Sequence, residues 1–224
     1  MCGRLAITLP PDSVANLFEA SIESPDNAPP RYNVCPTTDI QVALSTDGAR
    51  LLRKMRWGFI PRWYTKPGDG PLLINARAET IATKPAFRSS CRTRRCLIPA
   101  TGYYEWTKAD DGGKDPSYIY PAAAEAFAFA GIWREWTGPD GTSLTTTAIV
   151  TCAANADLAH IHHRMPVMID PADFGLWLGE NGTGAAALMV PAPEGRCLAH
   201  RVSRDVNGIR RDEPGLIAPL VDHP

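Results

Sequence analysis

The chain has 224 residues, 44% of them hydrophobic, and a net charge of −1 at pH 7, which suits a single domain (1–224) with a core of its own. No apolar run approaches the roughly 20 residues of a membrane span, and the start lacks the basic, apolar and small-residue regions of a signal peptide. A cytoplasmic, reducing setting is expected, in which the six cysteines (2, 35, 91, 96, 152 and 197) read as free thiols or ligands.

The chain opens MCGRLAIT. A small residue after Met1 invites removal of that methionine, leaving Cys2 with an amine and a thiol on adjacent carbons. With reference pKa values of about 8 and 8.5, both groups are partly deprotonated near neutral pH. Together they can attack one carbonyl twice, first by nitrogen and then by sulfur. The competing reading is an inconsequential residue at a frayed end.

Asp12, after two prolines and before Val14, Leu17 and Phe18, predicts a short capped helix. Residues 21–38 are Pro-rich and read as a traversing loop. DIQVALS and ARLLRKMRW flank Asp47-Gly48 and predict a hairpin. LLINA reads as a buried strand and AETIATKPAF as a broken helical stretch stopped near Pro85. RCLIP, GYYEW and SYIY read as strands, with a turn in DDGGKD. AFAFAGIWREW and SLTTTAIVT flank GPDG, a second hairpin. NADLAHI and PADFGLWL predict short helices, and CLAHRVS a late strand. The class is α+β: one domain on antiparallel sheet, barrel-like, with short peripheral helices.

Charge is unevenly distributed. Residues 50–95 hold twelve Lys/Arg against only Asp69 and Glu79, a net +10, while the rest of the chain is acidic. Trp57, Phe59, Trp63, Tyr64 and Phe87 lie among these cations. Basic residues interleaved with aromatics suit single-stranded nucleic acid, with phosphates on cations and bases on rings. The alternative is a solvated basic face over a core.

Three constellations carry chemistry. AHIHHRMP holds His160, His162 and His163; no second ligand pair accompanies them, so they read as acid/base groups and no metal is expected. Alternation puts His160 and His162 on one face and His163 on the other, and spacing does not choose among the three. GYYEW sets Glu105 among aromatics, where desolvation raises a carboxyl pKa and suits a proton acceptor; a solvent-facing glutamate is the alternative. In LLINARAET, Asn75 ends an apolar run and Arg77 could reach a phosphate.

Taken in order from residue 2 to about 219, MCGR, RYNVCP, WGFIPRW, INARAET, RRCLIP, GYYEW, AFAGIW, IHHRMPV and RVSRDVN resemble the SRAP (SOS response-associated peptidase) family. The resemblance implies an abasic-site processing protein, cofactor-free and monomeric, that shields abasic sites in single-stranded DNA by a covalent protein–DNA crosslink. It implies Cys2 as nucleophile, with Asn75, Glu105 and His162 as catalytic partners; Ile161 and Arg164 set the histidine register. DNA contacts map onto Arg4, Trp63, Tyr64, Arg77 and Arg164. Two departures stand out: Cys35, where alanine is common, and a longer 66–71 loop beside the aromatic pair. The resemblance assigns the amine a Schiff base with the opened sugar and the thiol the closing thiazolidine ring. Self-removal of Met1 would account for the peptidase name. The alternatives are an N-terminal nucleophile hydrolase of the class II glutamine amidotransferase kind, and a non-catalytic single-strand binder.

Overall fold

The computed structural model describes residues 2–24 and 27–220. The chain begins with β1 (Leu5–Ile7) and α1 (Pro11–Phe18). Asp12 lies in the first turn of α1 and makes no cap; the preceding prolines start the helix, since a proline fixes φ and needs no donor there. Val14, Ala15 and Phe18 form its buried face.

The expected 21–38 loop holds two short strands, β2 (Ser21–Ile22) and β3 (Arg31–Val34). Their sheet neighbours supply the order that their proline-rich surroundings do not signal. β4 (Asp39–Thr46) and β5 (Ala49–Trp57) form the predicted hairpin. Asp47 and Gly48 both have positive φ, +52° and +79°, as a two-residue turn matching strand twist requires. The LLINA strand is shifted: β6 is Asn75–Arg77, and Leu72 is 52% exposed. AETIATKPAF forms turns, and the helix begins only after Pro85, as α2 (Arg88–Thr93).

β7 (Arg95–Ala100) and β8 (Gly102–Lys108) are separated by Thr101 alone, where the chain passes from one sheet to the other. β9 (Lys114–Pro121), β10 (Phe127–Thr137), β11 (Ser143–Ala153), α3 (Ala156–Ala159), β12 (Arg164–Pro166), α4 (Phe174–Leu178) and β13 (Cys197–Arg201) follow.

One sheet runs β13-β9-β8-β1-β3; the other runs β12-β11-β10-β7-β4-β5-β2. β11 also pairs with β5, in parallel, so β5-β4-β7-β10-β11 close into a barrel. The architecture is therefore the expected barrel-like α+β fold, with mixed pairing: β6 also joins β11 in parallel. Apolar side chains from both sheets, among them Leu5, Trp57, Ile98, Tyr103, Phe129 and Ile149, form the main core. The β1–β8 pairing brings the start of the chain against Tyr103 at the edge of this core.

Candidate active site and nucleic-acid interface

Four separate segments meet around Cys2. The residue precedes β1 and is 1% exposed, packed within the main core, so the frayed-end reading does not hold. Asn75, the first residue of β6, donates from Nδ2 to the Cys2 carbonyl oxygen at 2.8 Å. Glu105 of β8 is 3% exposed, and burial raises its pKa. His162 lies in the turn between α3 and β12, with Nδ1 4.0 Å from Glu105 Oε1.

Burial pushes the Cys2 thiol well above its ordinary pKa, and the Glu105 carboxylate adds to that effect. The expectation of a partly ionised thiol is thereby corrected: desolvation holds the sulfur as S–H until a base takes its proton. Burial also lowers the pKa of His162, so near neutral pH its 4.0 Å contact joins a neutral ring to a carboxyl group. The backbone N–H of Arg164 donates to His162 Nδ1 at 3.0 Å. The same Nδ1 lies 3.2 Å from the Arg164 carbonyl oxygen, so either tautomer of the ring has a backbone partner at this nitrogen.

The histidines do not alternate as on a strand. His160 is the exposed cap residue of α3. The rings of His162 and His163 stack at 4.3 Å between centroids, and His162 is the first cause of a lowered His163 pKa. Among the described residues no group of three His, Cys, Asp or Glu is arranged to hold a metal. All six cysteines are free thiols; that of Cys35 donates to the Asn33 carbonyl at 3.5 Å.

The remaining predicted residues fall into two groups. Arg77 is exposed, opposite Thr151 on β11. Trp63 is 54% exposed and meets Tyr64 edge-on at 6.4 Å. These two aromatics ride on an excursion based on the Phe59–Leu73 bridge. Asp69 gathers its tip by accepting from the Thr65 hydroxyl (2.6 Å) and the Lys66 amide (3.2 Å). Gly70 packs against the Tyr64 ring so closely that an added Cβ would collide with the hydroxyl. The 66–71 loop thus braces Tyr64, whose hydroxyl also donates to the Pro71 carbonyl at 3.4 Å.

Arg4 and Arg164 are instead held inside the protein. Arg4 donates to Asn33 Oδ1 (2.6 Å) and the Val206 carbonyl (2.7 Å), tying β1 to the C-terminal segment. Arg164 grips Glu79 with two hydrogen bonds (2.6 and 3.0 Å) and the Thr151 carbonyl at 2.6 Å. Sequence reasoning missed Glu79 and Thr151; the one signal was an acid standing among so many bases.

The +10 stretch is not one face. Arg50 pairs with Glu180 and Arg53 with Glu23, so these two charges are neutralised locally. Arg95 donates to the carbonyls of Trp177, Cys91 and Arg92. Arg62, Lys66, Arg77, Lys84, Arg88 and Arg92 remain exposed.

A family model described as SOS response associated peptidase (SRAP) matches residues 1–209. The chain is 35% identical over 221 residues to the abasic site processing protein YoqW of Bacillus subtilis, covering 97% of this chain and 99% of that one. It is 32% identical to the abasic site processing protein YedK of Escherichia coli over 228 residues, covering 98% of this chain and 100% of that one. A crystal structure of a Bacteroides thetaiotaomicron protein superposes with a TM-score of 0.86 at 25% identity, covering 98% of this chain and 100% of that one.

Proposed function

The chain belongs to the SOS response associated peptidase family, and from that premise we propose that it processes abasic sites by crosslinking Cys2 to the opened sugar in single-stranded DNA. The observation that carries this reading is the meeting of Cys2, Asn75, Glu105 and His162 from four segments around one buried thiol. Met1, whose removal the chemistry requires, lies outside the described residues.

An abasic deoxyribose opens when its C1–O4 bond breaks: the C1 hydroxyl loses a proton as the aldehyde forms, O4 gains one, and the neutral His162 ring relays the proton between the two oxygens. The Cys2 amine, deprotonated by Glu105, attacks the aldehyde carbon, and loss of water gives the Schiff base. The thiol then adds across the C=N bond: sulfur bonds to carbon, and its proton passes by way of Glu105 to nitrogen. The product is a five-membered thiazolidine, and the balance is one water released. The second attack is intramolecular and gains the high effective concentration of tethered reactants. It also removes the imine that would otherwise lead to strand cleavage by β-elimination.

Asn75 suits the sugar. Its Nδ2 is committed to the Cys2 carbonyl, and its Oδ1 is buried without a hydrogen-bond partner. A buried unmet acceptor is unfavourable alone and is satisfied by a ligand hydroxyl. Arg77 and Trp63 would hold a phosphate and a base.

The test is incubation with an abasic single-stranded oligonucleotide followed by a denaturing gel. The expected result is a covalent band that Cys2→Ala abolishes. A stable band from Cys2→Ala without reductant, or an active protein whose intact mass includes Met1, would overturn the mechanism. Non-covalent binding with no band from the parent would favour a simple single-strand binder.

A further inference from the structure

Outside the reaction centre, arginines from three elements gather without a carboxylate. Arg134 of β10 lies with Cζ 5.9 Å from the Phe59 ring centroid. Arg94, which caps α2, lies 5.7 Å over the Trp133 ring, and its carbonyl accepts from the Trp133 amide at 2.9 Å. Arg62 immediately precedes Trp63 on the excursion. Burial lowers the Arg134 pKa first, and the positive charges of Arg94 and Arg62 add to that effect.

Several arginines elsewhere are matched with acids: Arg50 with Glu180, Arg53 with Glu23, Arg164 with Glu79 and Arg204 with Asp111. Among the described residues, Arg62, Arg94 and Arg134 have no such partner. The nearby acid on β10, Glu135, is 4.0 Å from Arg53. A cluster of like charges is unfavourable by itself and becomes favourable when an anion enters. Planar guanidiniums on aromatic faces are well suited to phosphate oxygens, because stacking on a ring leaves the N–H edges free.

The cluster is continuous with the proposed DNA path. Phe59, under Arg134, bridges to Leu73, two residues before Asn75. Trp136, on the same face of β10 as Arg134, donates from Nε1 to the Tyr64 carbonyl at 2.9 Å. The Trp136–Tyr64 bond and the Phe59–Leu73 bridge thus connect this part of β10 to the Trp63–Tyr64 excursion and to the strand that carries Asn75.

We propose that Arg62, Arg94 and Arg134 form a phosphate-binding track for the flank of the DNA strand that carries the lesion. This deepens the proposed function and rests on it for the identity of the strand. The test measures binding of an intact oligothymidylate, without an abasic site, at several salt concentrations, for the parent, Arg94→Gln, Arg134→Gln and the double variant. Crosslinking of an abasic oligonucleotide at saturating protein is measured beside it.

The expected result is a salt slope, in log K against log salt, reduced by about 0.7 for each phosphate that the variant no longer neutralises. The crosslinking rate at saturation should stay at the parental value. Arg134→Lys, which keeps the charge, should keep the slope, separating charge from packing on Phe59. A double variant with parental slope and affinity would overturn the track while leaving the crosslinking reading intact. A parent that never crosslinks, with variants of reduced slope, would leave a single-strand phosphate site and overturn the crosslinking reading.

Discussion

The side-chain amide of Asn75 is bonded to the backbone carbonyl of Cys2, at 2.8 Å across 73 positions of sequence. A carbonyl only accepts, so the bond fixes which end of the amide faces which way. Nδ2 holds the main chain at Cys2, and Oδ1 is left buried and unpaired beside it. One residue therefore anchors Cys2 and offers an acceptor to whatever enters.

Asn75→Ala should slow crosslinking by about 5- to 150-fold, the equivalent of one hydrogen bond of ~1–3 kcal/mol in a buried site. Asn75→Asp should be slower still, because a carboxylate would face the Cys2 carbonyl oxygen. Crosslinking rates from a denaturing gel under single-turnover conditions check the order.

Glu105 has its folded pKa raised by burial. A carboxyl with a raised folded pKa binds its proton more tightly in the fold than in the unfolded chain. Its contribution to stability is full below the unfolded value of about 4.3 and is lost as pH rises through the folded one. Glu105→Gln should therefore melt higher than the parent at neutral pH, with the difference shrinking as pH falls toward 4. The same substitution should remove the acid limb of the crosslinking rate, which in the parent rises with pH as Glu105 ionises. Melting curves and rates over pH 4–8 measure both.

Arg164 bonds Glu79 twice and the Thr151 carbonyl once, joining the turn after β6 to β11 and β12. Arg164→Ala should destabilise the fold by about 1.5–3 kcal/mol, the range for hydrogen bonds to a charged group. The backbone amide that bonds His162 Nδ1 is kept in this variant, but it sits on the segment the side chain anchors, so the His162 ring should lose order as well. Urea denaturation gives the first, and the His162 imidazole NMR signal reports the second.

Trp63 is more than half exposed, so its removal should leave folding stability within ~0.5 kcal/mol of the parent. Trp63→Ala should nevertheless weaken single-stranded DNA binding about 5- to 150-fold, the loss of one stacked base at ~1–3 kcal/mol. The salt slope should not change, because no charge is removed; Arg77→Ala should lower it by the share of one phosphate. Fluorescence anisotropy titrations at several salt concentrations separate the two effects.

Much of the architecture was legible because local rules produce it. Alternating apolar residues about Asp47-Gly48 specify a hairpin wherever they occur, and the structure has that hairpin at the expected turn. The ordered motifs identified the family, since each is a short run whose residues stay together in the chain. β2 and β3 were invisible because two to four residues in Pro-rich surroundings become strands only when a neighbour offers its edge. The same holds for β6, whose parallel place on β11 is set by residues far away in sequence.

The sequence by itself determined which groups the chain owns: a cysteine directly behind Met1, a glutamate among aromatics, a histidine cluster and a basic stretch. Only the tertiary structure decided their state. Burial turned Cys2 from a partly ionised thiol into a neutral one and raised Glu105, because the cost of a charge depends on surroundings drawn from the whole fold. Folding also divided the basic stretch. Arg50 and Arg53 met distant acids and were neutralised, while Arg62 and Arg94 pair with no acid among the described residues. Net charge is additive along a sequence, but pairing depends on which side chains the barrel brings within reach.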